Sequence, residues 1–242
     1  MGWRLVGLAP SYQRFLALVD RSLVAEARPT GCELNTPAVL MGARKLCGRA
    51  IDLIAVDMPL SRSPFSSRRP SDNAVSRAYG GRKCGTHSPN GQRPGPVSAA
   101  FTHDFGLAGY PLRTDSIAAP GLIEVYPHPA LIELTGASRR LEYEAAKVSR
   151  YWRDMSPQAR RVRLYDKWDE IAASLEGEMV GVKAALPRLE PSARRVDVKA
   201  HEDMLDAIVC AWVGVCALEG RARPYGDQAS AIWIPNSKPV AA

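Results

Sequence analysis

The run Ile51 to Met58 (IDLIAVDM) constrains this chain more than any other segment, being apolar but for Asp52 and closing on Asp57 and Pro59. An apolar run without alternation is expected of a strand buried on both faces, as parallel strands of α/β sheets are. Three shorter apolar runs precede it. Trp3 to Leu8, Arg14 to Val19 and Ser22 to Ala27 read as strands, the last two joined by Asp20-Arg21. Asn35-Thr36-Pro37 then signals a helix start, with Thr36 as N-cap and Pro37 at the first helical position. Val39, Leu40, Ala43 and Leu46 recur at helical spacing up to Gly48. The order β-β-β-α-β describes a meander followed by a helix that crosses over to a buried strand.

From residue 61 to 120 the texture changes to Pro, Gly, Ser and Arg, and only Asp72 to Tyr79 has a helical pattern. A loop-rich, Arg-rich insertion of this length is more often functional than a linker. Leu122 to Tyr126 is a further strand, and Pro127-His128-Pro129 opens a helix through about Leu134. Leu141 to about Leu175 reads as helical, broken near Pro157. His201 to Glu219 is the clearest helix, with Met204, Leu205, Ile208, Ala211, Trp212, Val215 and Leu218 facing a core and Gly220 stopping it. Ile232 to Pro235 is expected as a last edge strand. The 242 residues are expected to form one α/β domain, residues 1–242, with a central mixed sheet flanked by helices.

No stretch approaches 18 uninterrupted apolar residues, so a spanning helix is not expected. Met1-Gly2-Trp3-Arg4 lacks a secretory pattern, and five cysteines without a CxxC pair suit neither a disulfide framework nor a zinc finger. The expected compartment is the cytoplasm. The net charge of +7 is concentrated: Arg62 to Arg93 holds seven basic residues and one acid, and Arg139 to Lys167 nine basic residues and four acids. Such segments suit a surface that tracks phosphates, although a solvated face explains them too. Arg68, Arg69, Arg77, Arg82 and Lys83 in the insertion, and Lys147 and Arg150 beyond it, are the candidate phosphate contacts, with nucleic acid as the expected partner. An ion pair from Asp72 to Arg69 or Arg77 is the structural alternative. Trp152 and Trp168 would stack on bases or fill the core, and Cys210 and Cys216 read as packing.

Four acids sit where solvated acids are uncommon. Asp57 lies at the carboxyl end of a buried strand, where α/β folds place ligands, and Glu124 interrupts the apolar run LIEVY. Asp203 and Asp206 are three apart on the late helix and project to one side, although Glu202 and Asp203 in a first turn would also suit the helix dipole. Together Asp57, Glu124, Asp203 and Asp206 would make an all-oxygen site for Mg²⁺ or Mn²⁺, ions able to activate water for phosphodiester cleavage. His87 and His128 flank this centre as possible proton relays.

The strand order, Asp57, and the helix opening His201-Glu202-Asp203-Met204-Leu205-Asp206-Ala207 resemble the ribonuclease H-like fold. Within it the chain resembles the DUF429 family of predicted nucleases. The segments that carry the likeness are Ile54 to Leu60, Arg68 to Arg82, Thr86 to Asn90, Ile123 to Ala130 and His201 to Trp212. The Asp203–Asp206 pair also resembles the C-terminal acids of RuvC-type resolvases. The resemblance implies a divalent-metal-dependent nuclease whose catalytic metal ligands are Asp57, Glu124, Asp203 and Asp206. One position departs from it. Gly7-Leu8-Ala9-Pro10-Ser11 fits the frame in which this fold ends its first strand on a metal-binding Asp, and Ala9 cannot ligate a cation. A catalytically degenerate nucleic-acid-binding or scaffolding protein of the same fold is therefore the alternative, and an enzyme acting on a phosphorylated small molecule a third. The sequence leaves the choice of DNA or RNA and the oligomeric state open.

Overall fold

A computed structural model describes residues 4–9, 15–20, 23–29, 40–41, 51–90 and 95–236. The meander is present as β1 (Arg4–Ala9), β2 (Phe15–Asp20) and β3 (Leu23–Pro29), each antiparallel to the next. The expected cap at Thr36 lies outside the described residues, while Leu40 and Met41 are helical. The apolar run becomes β4 (Leu53–Val56), parallel to β1 on one side and to β5 (Gly121–Val125) on the other. Every residue of β4 and β5 is buried, which is why neither shows alternation. The seven-stranded mixed sheet has the order β3-β2-β1-β4-β5-β7-β6.

The expected edge strand is β7 (Ala231–Pro235), but it is fully buried and lies inside the sheet, parallel to β5. The edge is β6 (Ala222–Gly226), which pairs antiparallel with β7. Its sequence, ARPYG, hides a strand because Pro224 and Gly226 read as turn residues; at an edge a proline need not cost a ladder hydrogen bond.

The insertion holds more helix than its composition suggests. Helix α1 (Pro70–Tyr79) matches the expected pattern, whereas α2 (Gly95–Leu107) has no counterpart in the sequence pattern. Only Ser98, Phe101 and Phe105 of α2 are buried, a narrow stripe diluted by Gly, Ser and Ala. Phe101 and Phe105 cover the sheet face that carries Ile54, Val56 and Leu122. The opposite face, with Leu53, Ala55, Ile123 and Val125, packs on the larger helical layer.

That layer begins with α3 (Pro127–Thr135), which ends at Gly136 with φ +68°, a conformation that favours glycine. The helical stretch expected over 141–175 is instead a 3₁₀ turn at Ala145–Lys147, a single turn α4 (Val148–Tyr151), and α5 (Pro157–Glu176). The helix restarts at α5 because Ser156 caps it: Ala159 N–H donates to Ser156 Oγ at 3.2 Å. After the short α6 (Val182–Ala185), the long α7 (Arg195–Leu218) crosses β1, β2 and β4. It starts at Arg195 rather than His201, since the Asp197 carboxylate accepts from the backbone N–H and guanidinium of Arg194 at 3.2 and 2.8 Å. No helix among the described residues is long and apolar enough to cross a membrane.

Candidate functional site

The early start of α7 changes the meaning of its acids. Asp197 serves the first turn, and Glu202, Asp203 and Asp206 sit further along, where the helix dipole offers them nothing. With Lys199 they form a polar stripe at i, i+3, i+4 and i+7 on a helix whose remainder, Ala207 to Leu218, is apolar. Lys199 Nζ donates to Glu202 Oε1 at 2.8 Å and to Asp203 Oδ1 at 2.7 Å. Ala145 N–H donates to Glu202 Oε2 at 2.5 Å, and the Tyr143 hydroxyl to Asp206 Oδ1 at 2.8 Å. Asp203 is 1% exposed, and its Oδ2 is buried without a hydrogen-bond partner. Ligand oxygens of Glu202, Asp203 and Asp206 all lie within 4.8 Å of one another.

These acids line a pocket of ≈ 240 Å³ completed by Asp57, Tyr126, Pro127, His128, Tyr143 and Glu144. It opens at the carboxyl ends of the parallel strands, where Asp57 follows β4 and Tyr126 follows β5. Leu8 pairs with Val56, so Ala9 at the end of β1 stands level with Asp57. Burial, with the charges of Glu124 and Asp203, pushes the Asp57 carboxyl up to about 7 against the opposing pull of Lys199. Burial and the charges of Asp57 and Glu202 push Asp206 well above the usual carboxylate range, and burial raises Glu202. Carboxylates crowded out of water in this way resist ionising until a cation joins them. The donor set is all oxygen and includes one unpartnered oxygen, which suits a hard divalent ion.

The rim is cationic and aromatic. Burial and the Arg140 charge lower His128 to about 3, so its ring is neutral. An Arg140 N–H donates to His128 Nε2 at 2.5 Å, which leaves the ring proton on the buried and unpartnered Nδ1. Glu144 accepts from Arg140, Lys147 and Tyr151 at 2.6, 2.8 and 2.7 Å. Burial alone would raise its carboxyl, but the Lys147 and Tyr151 hydrogen bonds and the Arg140 charge hold it at about 2.

Glu124 does not join the triad. Val56 and Glu124 are register partners, so alternation puts Glu124 on the face of Ile54 and Leu122, while Asp57 follows the parity of Leu53 and Ala55. Arg69 holds its carboxylate in a fork at 2.6 and 2.7 Å, and Leu60 N–H donates at 2.8 Å. Arg69, 3% exposed, also donates to both Asp72 oxygens, at 3.0 and 2.9 Å. This buried network lines a neighbouring pocket, also ≈ 240 Å³, which shares Asp57 and Tyr126 with the first and includes the exposed His87.

The expected phosphate contacts are corrected in part. Arg69 belongs to the interior. Arg68 braces the start of α1 through Asn73, Ser76 and the Asp72 carbonyl at 2.8, 2.6 and 2.8 Å. Arg82 donates to Glu133 at 2.9 Å and Lys147 to Glu144 at 2.8 Å. Arg77, Lys83 and Arg150 are exposed. Trp152 and Trp168 are buried with the core, as are Cys210 and Cys216.

A family model described as "Protein of unknown function (DUF429)" matches residues 19–230. The chain belongs to the DUF429 family. No curated protein and no solved structure matches it. In this DUF429 chain, sequence reasoning passes over Lys199, Tyr143 and Glu144, and sets Glu202 aside as a first-turn acid. The signal for Lys199 and Glu202 is present in the i, i+3, i+4, i+7 spacing, which a late placement of the helix start obscures. Tyr143 and Glu144 lie in an irregular segment and carry no signal of their own.

Proposed function

We propose that this chain is a divalent-metal-dependent hydrolase of nucleic-acid phosphodiester bonds, built on a ribonuclease H-like sheet. The observation that carries this reading is the meeting of Asp57 with the Glu202–Asp203–Asp206 triad in one pocket, with Asp203 Oδ2 unpartnered. The sheet order supports it, since β3-β2-β1-β4-β5 has an antiparallel meander joined to a parallel half. Asp57, Asp203 and Asp206 would hold Mg²⁺ or Mn²⁺, which when bound supplies Lewis acidity and an activated water. The chain's own groups orient these ligands: Tyr143 fixes Asp206 through its hydroxyl, and Lys199 fixes Asp203. Neutral His128 lines the pocket and carries an unpartnered Nδ1–H, and the exposed Arg77, Lys83 and Arg150 offer phosphate contacts.

A second reading, a non-cleaving nucleic-acid binder or scaffold, is favoured by Ala9, which stands level with Asp57 and brings no carboxylate. A cleavage assay separates the two. Labelled single-stranded, duplex and branched DNA and RNA are incubated with Mg²⁺, Mn²⁺ or EDTA, using wild type, Asp57→Asn and Asp206→Asn. Metal-dependent cutting lost in both variants supports the hydrolase. Salt-sensitive binding without cutting of any substrate supports the binder.

A further inference from the structure

We infer that Lys199 is a built-in cation of the acidic centre, so that the site takes one divalent ion rather than a pair. The inference rests on the metal-dependent reading above and deepens it. Lys199 Nζ bridges Glu202 Oε1 and Asp203 Oδ1 at 2.8 and 2.7 Å, two of the three acids whose oxygens lie within 4.8 Å of one another. An ammonium in that position takes up both the donor oxygens and the charge that a second ion would need. The other Glu202 oxygen, Oε2, is also engaged, accepting the Ala145 N–H at 2.5 Å. On the β1 side of the pocket, Ala9 stands level with Asp57 and contributes no carboxylate.

What remains for an ion is Asp203 Oδ2, buried and unpartnered in a residue 1% exposed, together with the carboxylates of Asp57 and Asp206 that line the same pocket. Three carboxylates with water completing the shell match one hard cation. One divalent ion and one ammonium also offset most of the charge of Asp57, Glu202, Asp203 and Asp206. A second divalent ion would have to sit beside the ammonium with no carboxylate oxygen assigned to it, and like charges at that separation repel.

The test is a count of bound Mn²⁺ on the full chain, by calorimetric titration and by the electron paramagnetic resonance signal of free Mn²⁺. Wild type should bind one ion, Lys199→Arg one, and Lys199→Met two, the second more weakly. Circular dichroism confirms that each variant is folded, and Lys199→Met should melt below wild type in EDTA and gain more than wild type from saturating Mn²⁺. Two ions in wild type would overturn the inference while leaving the metal-dependent reading in place. One ion in both wild type and Lys199→Met would also overturn it, assigning the missing second ion to Ala9 alone. No Mn²⁺ bound by any form would overturn the metal-dependent reading, and this inference with it.

Discussion

Replacing Asp57 with Asn should stabilise the metal-free protein, although it removes a carboxylate proposed to hold the ion. Burial and its acidic neighbours hold the Asp57 carboxyl at about 7, against 3.8 for an ordinary aspartate. Between those two values the folded chain keeps a proton that the unfolded chain has released. Stability therefore falls as pH rises from about 4 to about 7 and stays at its reduced level above that. Each pH unit of separation corresponds to about 1.4 kcal/mol, so the full difference is on the order of 4 kcal/mol. Asp57 is only half-buried, and solvent screening brings the expected effect to about 2–4 kcal/mol. Urea unfolding in EDTA at pH 3.5, 6 and 8 should show wild type and variant nearly equal at the lowest pH and the variant more stable at the highest. Saturating Mn²⁺ should reverse the order at pH 8, because binding at a thousand times the dissociation constant adds about 4.1 kcal/mol to wild type. A variant no more stable than wild type at pH 8 without metal would refute the view that these carboxylates are held together against their own repulsion.

Three further outcomes are expected. Arg69→Met strands the buried carboxylates of Glu124 and Asp72 and should cost about 3–5 kcal/mol in urea unfolding, with part recovered by adding Glu124→Gln; a loss below about 1 kcal/mol would mean the network does not hold the insertion to the sheet. Ala9→Asp should tighten Mn²⁺ binding measured by calorimetry, since the new carboxylate would stand level with Asp57, and an unchanged affinity would count against the β1–β4 register. Replacing Arg77, Lys83 and Arg150 together with Ala should flatten the dependence of log K on log salt for an oligonucleotide, by about 0.7–0.9 for each phosphate no longer neutralised. An unchanged slope would place the phosphate-binding surface elsewhere on the chain.

The parts of the fold that can be read in advance are those where burial leaves a strong pattern. The unalternating β4 and β5 and the apolar stripe of α7 follow directly from which residues avoid water. The parts that cannot be read are those where burial is shallow or the local chemistry points elsewhere. Helix α2 buries three residues on a background of Gly, Ser and Ala, and β6 is an edge strand written in residues that favour turns. The segment before Pro157 contains helix-compatible residues, yet Ser156 and Pro157 start a new helix rather than interrupt an old one.

The site shows how a correct set of residue types can be assembled on the wrong geometry. Asp57 and Glu124 each interrupt an apolar run, and each invites the same chemistry when considered alone. Counting by twos separates them. Leu53 and Ala55 share one parity on β4 and Asp57 continues it just past the strand's end, while Leu122 and Glu124 share the parity of Ile54 and Val56 across the register. A carboxylate on the α2 side of the sheet has to find its counter-charge there, and Arg69 supplies it at 2.6 Å. A carboxylate on the α7 side meets that helix instead, at the stretch where its apolar surface gives way to Lys199, Glu202, Asp203 and Asp206. The two halves of the chain thus divide the work by strand parity: one acid ties the Arg-rich insertion to the sheet, and the other faces the centre where a cation would sit. On this division Glu124→Gln should weaken the hold on the insertion and leave Mn²⁺ affinity largely unchanged, whereas Asp206→Asn should do the reverse. Calorimetry and urea unfolding on the same two variants check both halves, and a loss of Mn²⁺ binding in Glu124→Gln as large as that in Asp206→Asn would show that parity does not govern which acids serve the centre.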